Sequence, residues 1–175
     1  GGGYTALHAA TMRSDLETVE RLLAHGANPD IPMTRGSPLR RNGSQWALSS
    51  AWAGATPLII AASYLELDVM RALLRGGAST APALPDGTTP LLVAAGITVE
   101  RRLNRPVLDH TDTSTDIGDD CCDRAEDGIL EALGILLDAG ANVDEASEDG
   151  DTALHAAASG ALASVIQLLA DRGAD

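Results

Sequence analysis

Two histidines in this sequence have side chains whose type and setting could do chemistry. His8 and His155 each follow a threonine by three positions, and an imidazole can ligate a metal or act as a general base. No Ser–His–Asp order with supporting motifs accompanies them. Ile59 and Leu92 stand where two further histidines would complete a series. We therefore expect both histidines to be structural and predict that the chain is not an enzyme.

The acidic segment around Asp112 has some features of a Ca²⁺-binding loop. Oxygen-bearing side chains fall at positions 1, 3, 5 and 12 of such a loop, namely Asp112, Ser114, Asp116 and Asp123. However, Ile117 replaces the turn glycine, Gly118 comes one residue late, and the last position is Asp rather than a bidentate Glu. The sequence favours a solvated, partly mobile acidic loop over residues 109–127, with cation binding as the alternative.

The two cysteines, Cys121 and Cys122, are adjacent and have His110 nearby. Adjacent cysteines cannot readily share one tetrahedral zinc site, and the usual C-x₂-C spacing is missing. A disulfide framework is excluded as well, because bonding between neighbouring cysteines is strained. The sequence thus predicts no metal and no cofactor, and it leaves the compartment open.

The composition limits both the core and the partners. Apolar residues make up 45% of the 175 residues, there is no Phe, and only Tyr4, Tyr64, Trp46 and Trp52 are aromatic. A core of Ala, Leu, Ile and Val suits thin, closely packed helices. A net charge of −13 opposes binding to phosphate backbones, so we expect no nucleic-acid partner. No apolar stretch is long enough to span a membrane.

A short motif occurs four times, and it specifies the elements that position these residues. Each copy has a threonine that can cap a helix, then helically spaced Leu and Ala; Pro57 and Pro90 follow two of these threonines in the first helical turn. A second motif follows each copy and ends in a glycine suited to a left-handed helix cap. The pattern predicts four helix pairs. The capping threonines are Thr5, Thr56, Thr89 and Thr152, and the closing glycines are Gly26, Gly77, Gly140 and Gly173.

The combined pattern, T-P-L-H-x-A-A followed by V-x-x-L-L-x-x-G-A, resembles the ankyrin-repeat family. The resemblance covers nearly the whole chain and implies an all-α solenoid of four helix–loop–helix repeats with short β-hairpin fingers. It also implies that the motif histidine bonds between neighbouring repeats. The pattern further looks like a bacterial branch of ankyrin proteins, several of whose members are exported. We predict one domain, 1–175, with repeats at about 1–30, 54–85, 86–144 and 148–175.

The repeat spacing locates two insertions. The capping threonines are 51, 33 and 63 residues apart, and the middle step equals the family period of about 33. The first excess, roughly 18 residues, falls between repeats at 31–53, where the family has its finger. The second, roughly 30 residues, falls inside the third repeat at 98–127, between the inner and outer helices.

The two insertions differ in chemistry. The first carries arginines and tryptophans and no acid: Arg35, Arg40, Arg41, Trp46 and Trp52. The second carries eight acids and one arginine between residues 109 and 127. Trp and Arg dominate many protein interfaces, although tryptophans can equally fold back and pin a long finger to the stack. We expect one edge of the stack to be basic and aromatic and the other to be strongly acidic.

The family's concave face is formed by fingers and by inner-helix residues just after the Ala-Ala pair. Mapped onto this sequence, and joined with the first insertion, the candidate partner-binding residues are Tyr4, Met12, Arg13, Arg35, Arg40, Arg41, Trp46, Trp52, Ser63 and Tyr64. Ser159 and Ile97 lie at corresponding places. Ordinary exposure with partial packing is the alternative for the inner-helix positions. We predict a protein-binding scaffold, with a non-catalytic spacer module of a larger, exported protein as the alternative.

Overall fold

A computed structural model describes residues 3–35, 52–97 and 120–174. In the last of these ranges, side chains are described from residue 126 onward. The described residues form eight helices in chain order: α1 Ala6–Met12, α2 Leu16–Ala24, α3 Pro57–Ser63, α4 Leu67–Arg75, α5 Pro90–Ala94, α6 Asp120–Asp138, α7 Ala153–Ser159 and α8 Ala163–Asp171. Successive odd-numbered helices pack against one another as an inner layer, and successive even-numbered helices form an outer layer. The chain is an all-α repeat solenoid, as the sequence predicts.

The inner helices begin where the repeated threonines lie. Thr5, Thr56, Thr89 and Thr152 each accept a hydrogen bond at the side chain from the backbone N–H three residues later. Three of the four helices are then followed by a non-glycine residue with positive φ: Ser14 at 55°, Leu65 at 52° and Ala161 at 54°. All three lie nine positions after the cap, where a single left-handed residue redirects the chain into the outer helix.

The core consists of two apolar clusters. The larger one runs along the stack between the layers and contains buried Leu and Ala residues of all four repeats, among them Leu58, Leu91 and Ala132 at 0% exposure. The smaller one lies between the inner helices and the fingers, and its buried members are Met12, Met33, Trp52, Ala55, Ile59, Ile60, Leu84 and Val93. Alanines let the helices pack closely, which explains how a chain so poor in aromatic residues fills its interior.

The fingers are tighter than the predicted hairpins. At Leu84 the backbone N–H donates to Thr88 O (2.9 Å), while Gly87 N–H donates to Leu84 O (2.9 Å). Ser147 makes the same two bonds with Asp151 and Gly150, each at 2.9 Å. Two bonds close a turn but form no regular strand, so the only β-structure in the described ranges is the isolated bridge between Ala146 and Thr152.

Stacking of the fingers depends on a glycine at the turn. Gly87 has φ of +78°, and a Cβ there would lie 3.1 Å from the backbone nitrogen of Glu148 in the next finger. Gly150 has a similar φ of +85°, but nothing lies within 4 Å of its Cβ position. The two glycines therefore separate the cost of backbone strain from the cost of crowding.

We expect Gly87→Ala to lower the free energy of unfolding by about 2–4 kcal/mol, because left-handed strain adds to a clash with a neighbouring backbone. Gly150→Ala, the matched control, should lose only the strain of about 1–2 kcal/mol. Urea unfolding followed by circular dichroism measures both. Equal losses in the two variants would show that close packing between the fingers contributes nothing.

The prediction of an acidic loop over residues 109–127 is wrong for the last part of that segment. Its end, from Asp120 to Asp127, forms the first part of α6, since neither glycine nor proline interrupts this stretch before Gly128. Glu126 accepts a hydrogen bond at Oε1 from Ser164 N (3.1 Å) and so caps α8, which has no side-chain cap of its own. Residues 98–119, including most of the Ca²⁺-loop candidates, lie outside the described ranges.

Candidate protein-binding surface

One side of the stack combines the ends of the inner helices with the fingers. Tyr4 and Tyr64 are half-buried there and pack against the smaller apolar cluster, which includes Met12, Met33 and Trp52. This side therefore presents aromatic side chains over a packed base. We call it the finger surface and define it by Tyr4, Arg13, Arg35, Ser63 and Tyr64.

Two of the predicted contact residues are core residues instead. Met12 is 3% exposed and Trp52 is 5% exposed, so neither side chain is available to a partner in this conformation. The reason is that Met33 and Leu84, from two fingers, close over the inner helices and enclose both side chains in the smaller cluster. Both support the finger surface from beneath.

The other predicted residues differ in exposure. Arg13 and Arg35 are exposed, whereas Ser63 is half-buried and donates from Oγ to Ile60 O in its own helix (2.8 Å). Ser159, at the corresponding end of α7, is exposed, and Ile97 is half-buried. The remaining predicted residues, Arg40, Arg41 and Trp46, lie outside the described ranges.

The base of the first finger insertion has the geometry of an ordinary finger. Met33 N–H donates to Ala55 O (2.8 Å), and Gly54 N–H donates to Met33 O (2.7 Å). Leu84 makes the same two bonds across a turn of ordinary length. The inserted residues therefore begin after Met33 and end before Gly54, and these two residues are held together by a backbone hydrogen bond.

Ion pairing distinguishes the arginines of the two layers, a feature that the sequence analysis missed. Four arginines on or just after the outer helices have carboxylate partners: Arg21 with Glu17, Arg71 with Asp68 and Glu131, Arg75 with Glu20, and Arg172 with Asp138. Three of these pairs link neighbouring repeats. Arg13 and Arg35 have no carboxylate within ion-pair distance in the described ranges.

His8 links the first two repeats rather than forming a reactive site. Thr5 N–H donates to His8 Nδ1 (3.1 Å), so Nε2 carries the proton and donates to Ala55 O (3.1 Å). The ring is 0% exposed, and burial lowers the pKa of His8 below its ordinary value although the Ala55 bond opposes the shift. His155 makes the same contact with Thr152 but is exposed.

The lowered pKa of His8 predicts a specific loss of stability in mild acid. The unfolded histidine binds a proton more readily than the folded one, so the contribution of His8 is complete above its ordinary pKa of 6.5. It is lost as the pH falls below that value towards the folded pKa. Urea unfolding between about pH 5.5 and 7.5 should therefore show a steeper decline for the wild type than for His8→Leu. Parallel declines would contradict a buried neutral His8.

Comparison with known proteins agrees with this architecture. Residues 2–33 match the family model "Ankyrin repeat", and residues 121–170 match "Ankyrin repeats (many copies)". The chain belongs to the ankyrin-repeat family. Ankyrin repeats are a non-catalytic fold that generally mediates protein–protein interaction. Among the described residues, no helix is long and apolar enough to cross a membrane.

The curated relatives include Neurogenic locus notch homolog protein 1 of Mus musculus, 31% identical over 156 residues and 87% of this chain. The human protein of the same name is 31% identical over 159 residues and 89% of this chain. Human Neurogenic locus notch homolog protein 4 is 36% identical over 101 residues, or 57% of this chain. The chain spans only 4–6% of the length of these relatives. All of them are metazoan, so the bacterial branch remains a prediction.

Proposed function

We propose that this ankyrin-repeat chain is a non-catalytic protein-binding scaffold that uses its concave face and its Arg/Trp-bearing finger. The observation that carries the proposal is the ion pairing of the arginines. Arg71, Arg75 and Arg172 are paired within the chain, whereas the exposed Arg13 and Arg35 have no carboxylate within ion-pair distance in the described ranges. Arg and Tyr are enriched at interfaces because they combine a large contact area with directed hydrogen bonds.

The packed base beneath the finger surface favours binding without large rearrangement. Trp52, Met33 and Ile60 fix the tyrosines from below, so little side-chain freedom remains to be lost on association. We include Arg40, Arg41 and Trp46 in the proposed surface because in the sequence they fall between Met33 and Gly54, which close the base of the finger. The acidic remainder of the chain keeps the scaffold soluble through its net charge.

Site-specific photo-crosslinking tests this proposal. A photoreactive phenylalanine analogue replaces Tyr64 on the finger surface, and a second variant carries it at Gln167, an exposed residue of α8. We expect a discrete protein adduct from position 64 in extracts of the source organism and none from position 167. An absence of adducts at both positions would instead favour a spacer module within a larger protein.

A further inference from the structure

We propose that a second copy of this chain stacks end to end on the fourth repeat, with the first repeat of that copy in the place that a following repeat would take. The two ends of the described stack carry the two halves of the contact that joins its internal repeats, and both halves are accessible. The inference concerns the ends of the stack and is independent of the finger surface and its proposed partner.

One end of the stack exposes residues that are buried elsewhere by a following repeat. Leu154 and Ile166 are half-buried in the fourth repeat, whereas His155 and Ala158 are exposed. Because the first three repeats each have a following neighbour and bury these positions, the four residues face the place of a next repeat. We call them the trailing face. Their equivalents, none more than 2% exposed, are Leu7, Leu58 and Leu91; His8, Ile59 and Leu92; Thr11, Ala62 and Ala95; and Val19, Met70 and Leu133.

The other end exposes residues that are buried elsewhere by a preceding repeat. In the first repeat Ala6 is exposed, and Ala9 and Leu22 are half-buried. The later repeats, which each have a preceding neighbour, bury these positions, so the three residues face the place of an earlier repeat. We call them the leading face. Their buried equivalents are Pro57, Pro90 and Ala153; Ile60, Val93 and Ala156; and Leu73, Leu136 and Leu169.

A histidine donor on the trailing face matches a carbonyl acceptor beside the leading face. Between the first two repeats, His8 Nε2 donates to Ala55 O (3.1 Å), the carbonyl just before the cap of the second repeat. Thr152 N–H donates to His155 Nδ1 (3.3 Å), so Nε2 of His155 carries a proton in the same arrangement, and no described group accepts it. Tyr4 is the equivalent of Ala55 in the first repeat, and no described donor reaches its carbonyl. Stacking of two copies joins this donor to this acceptor.

The outer helices of the two faces are complementary in size. Between the first two repeats, Gly76 makes room for Leu23, since a Cβ at Gly76 would lie 2.8 Å from Leu23 Cδ2. At the proposed contact the larger His25 stands at the position of Gly76, whereas the small Ala170 stands at that of Leu23. The contact thus again pairs a large side chain with a small residue, with the two exchanged between the faces.

The same helices are complementary in charge. Arg172 Nη1 lies 2.9 Å from Asp138 Oδ1 between the third and fourth repeats. Counted from the closing glycines, Asp171 occupies the position of Asp138, and His25 of the second copy occupies that of Arg172. His25 Nδ1 donates to Arg21 O (2.7 Å), which leaves Nε2 for a carboxylate. A protonated His25 therefore meets Asp171 where the last internal interface has its ion pair.

Stacking of this kind joins two different faces, so each pair of copies still has one free face of each kind. Association therefore continues head to tail as an open chain rather than stopping at a symmetric dimer. The net charge of −13 on each copy opposes association and is screened by salt. We expect the contact to strengthen as the ionic strength rises from low values.

Sedimentation velocity of the wild type and of two blocked variants tests the inference. Ala158→Arg obstructs the trailing face and Ala6→Arg the leading face, and both alanines are exposed, so the core is undisturbed. Between about 1 µM and 1 mM we expect the wild type to grow beyond a dimer, each variant alone to stay monomeric, and their equimolar mixture to stop at a dimer. Ala83→Arg, at an exposed alanine between the second and third repeats, is the matched control and should associate as the wild type does. Circular dichroism checks that every variant is folded.

A further substitution measures the histidine bond. The Ala6→Arg chain contributes only its trailing face to the mixed dimer, so His155→Ala is introduced there. Its affinity for the Ala158→Arg chain should fall about three- to tenfold, the effect of losing one hydrogen bond. An unchanged affinity would overturn the assigned bond between His155 and Tyr4.

The contrary outcomes are distinguishable. A dimer formed by Ala6→Arg alone shows two trailing faces in contact and overturns the head-to-tail arrangement. A dimer formed by Ala158→Arg alone shows two leading faces in contact and overturns it equally. A wild-type chain that stays monomeric over the whole concentration range overturns the second copy as the occupant. The photo-crosslink at position 64 tests the scaffold function separately, so failure of one proposal leaves the other standing.

Discussion

Replacing Trp52 with alanine is expected to destabilise the chain by about 3–5 kcal/mol. The indole is 5% exposed and fills the space between the finger and the inner helices, where Met33, Ile60 and Leu84 belong to the same cluster. Alanine would leave a cavity that these neighbours cannot close fully, because two of them come from fingers held by backbone bonds. Urea unfolding followed by far-ultraviolet circular dichroism gives the change in free energy.

Trp52→Phe is the matched control, because it keeps an aromatic ring but removes the Nε1 donor that has no acceptor in the described chain. It should lose less stability than Trp52→Ala, since removing an unsatisfied polar group offsets part of the lost volume. A loss in Trp52→Ala no larger than that in Trp52→Phe would show that the ring does not fill the cluster. Because urea unfolding contains no partner, any loss of stability in these variants reports support of the finger surface by Trp52 and not contact with a partner.

The helices could be predicted from the sequence because their signals are local. A threonine that caps, a proline in the first turn and Leu and Ala at helical spacing act within a few residues, and Thr56 with Pro57 specifies the start of α3 as the structure has it. The left-handed turns at Ser14, Leu65 and Ala161 could not be predicted in this way, because none of them is glycine. Packing of two helix layers imposes that conformation.

The candidate surface was predictable only in part. The repeat register places Tyr64 and Arg13 at equivalent positions, because register is a property of the sequence alone. The burial of Met12 and Trp52 depends on Met33 and Leu84, which lie far away in the chain, so no local pattern reports it. The same holds for the ion pairs that link repeats. Each depends on which side chain the neighbouring repeat provides.

Leu73→Ala is expected to be similarly costly, at about 2–5 kcal/mol. Leu73 lies in α4 at 0% exposure, and its helix packs against both α2 and α6. In a linear array each repeat is stabilised by its interfaces with its neighbours, so a cavity in an internal repeat weakens the coupling on both sides. Leu22 occupies the same place in α2, four residues before the closing glycine, and is only half-buried.

Leu22→Ala is therefore the control. It should lower the free energy of unfolding by less than Leu73→Ala does, because Leu22 buries less apolar surface on folding. Urea unfolding of both variants should also differ in shape. Loss of coupling at Leu73 broadens the transition, since the first repeat can then unfold separately from the third and fourth. Equal losses with equally sharp transitions would contradict nearest-neighbour coupling, and would show instead that the stack unfolds as one unit whose stability is shared evenly among the repeats.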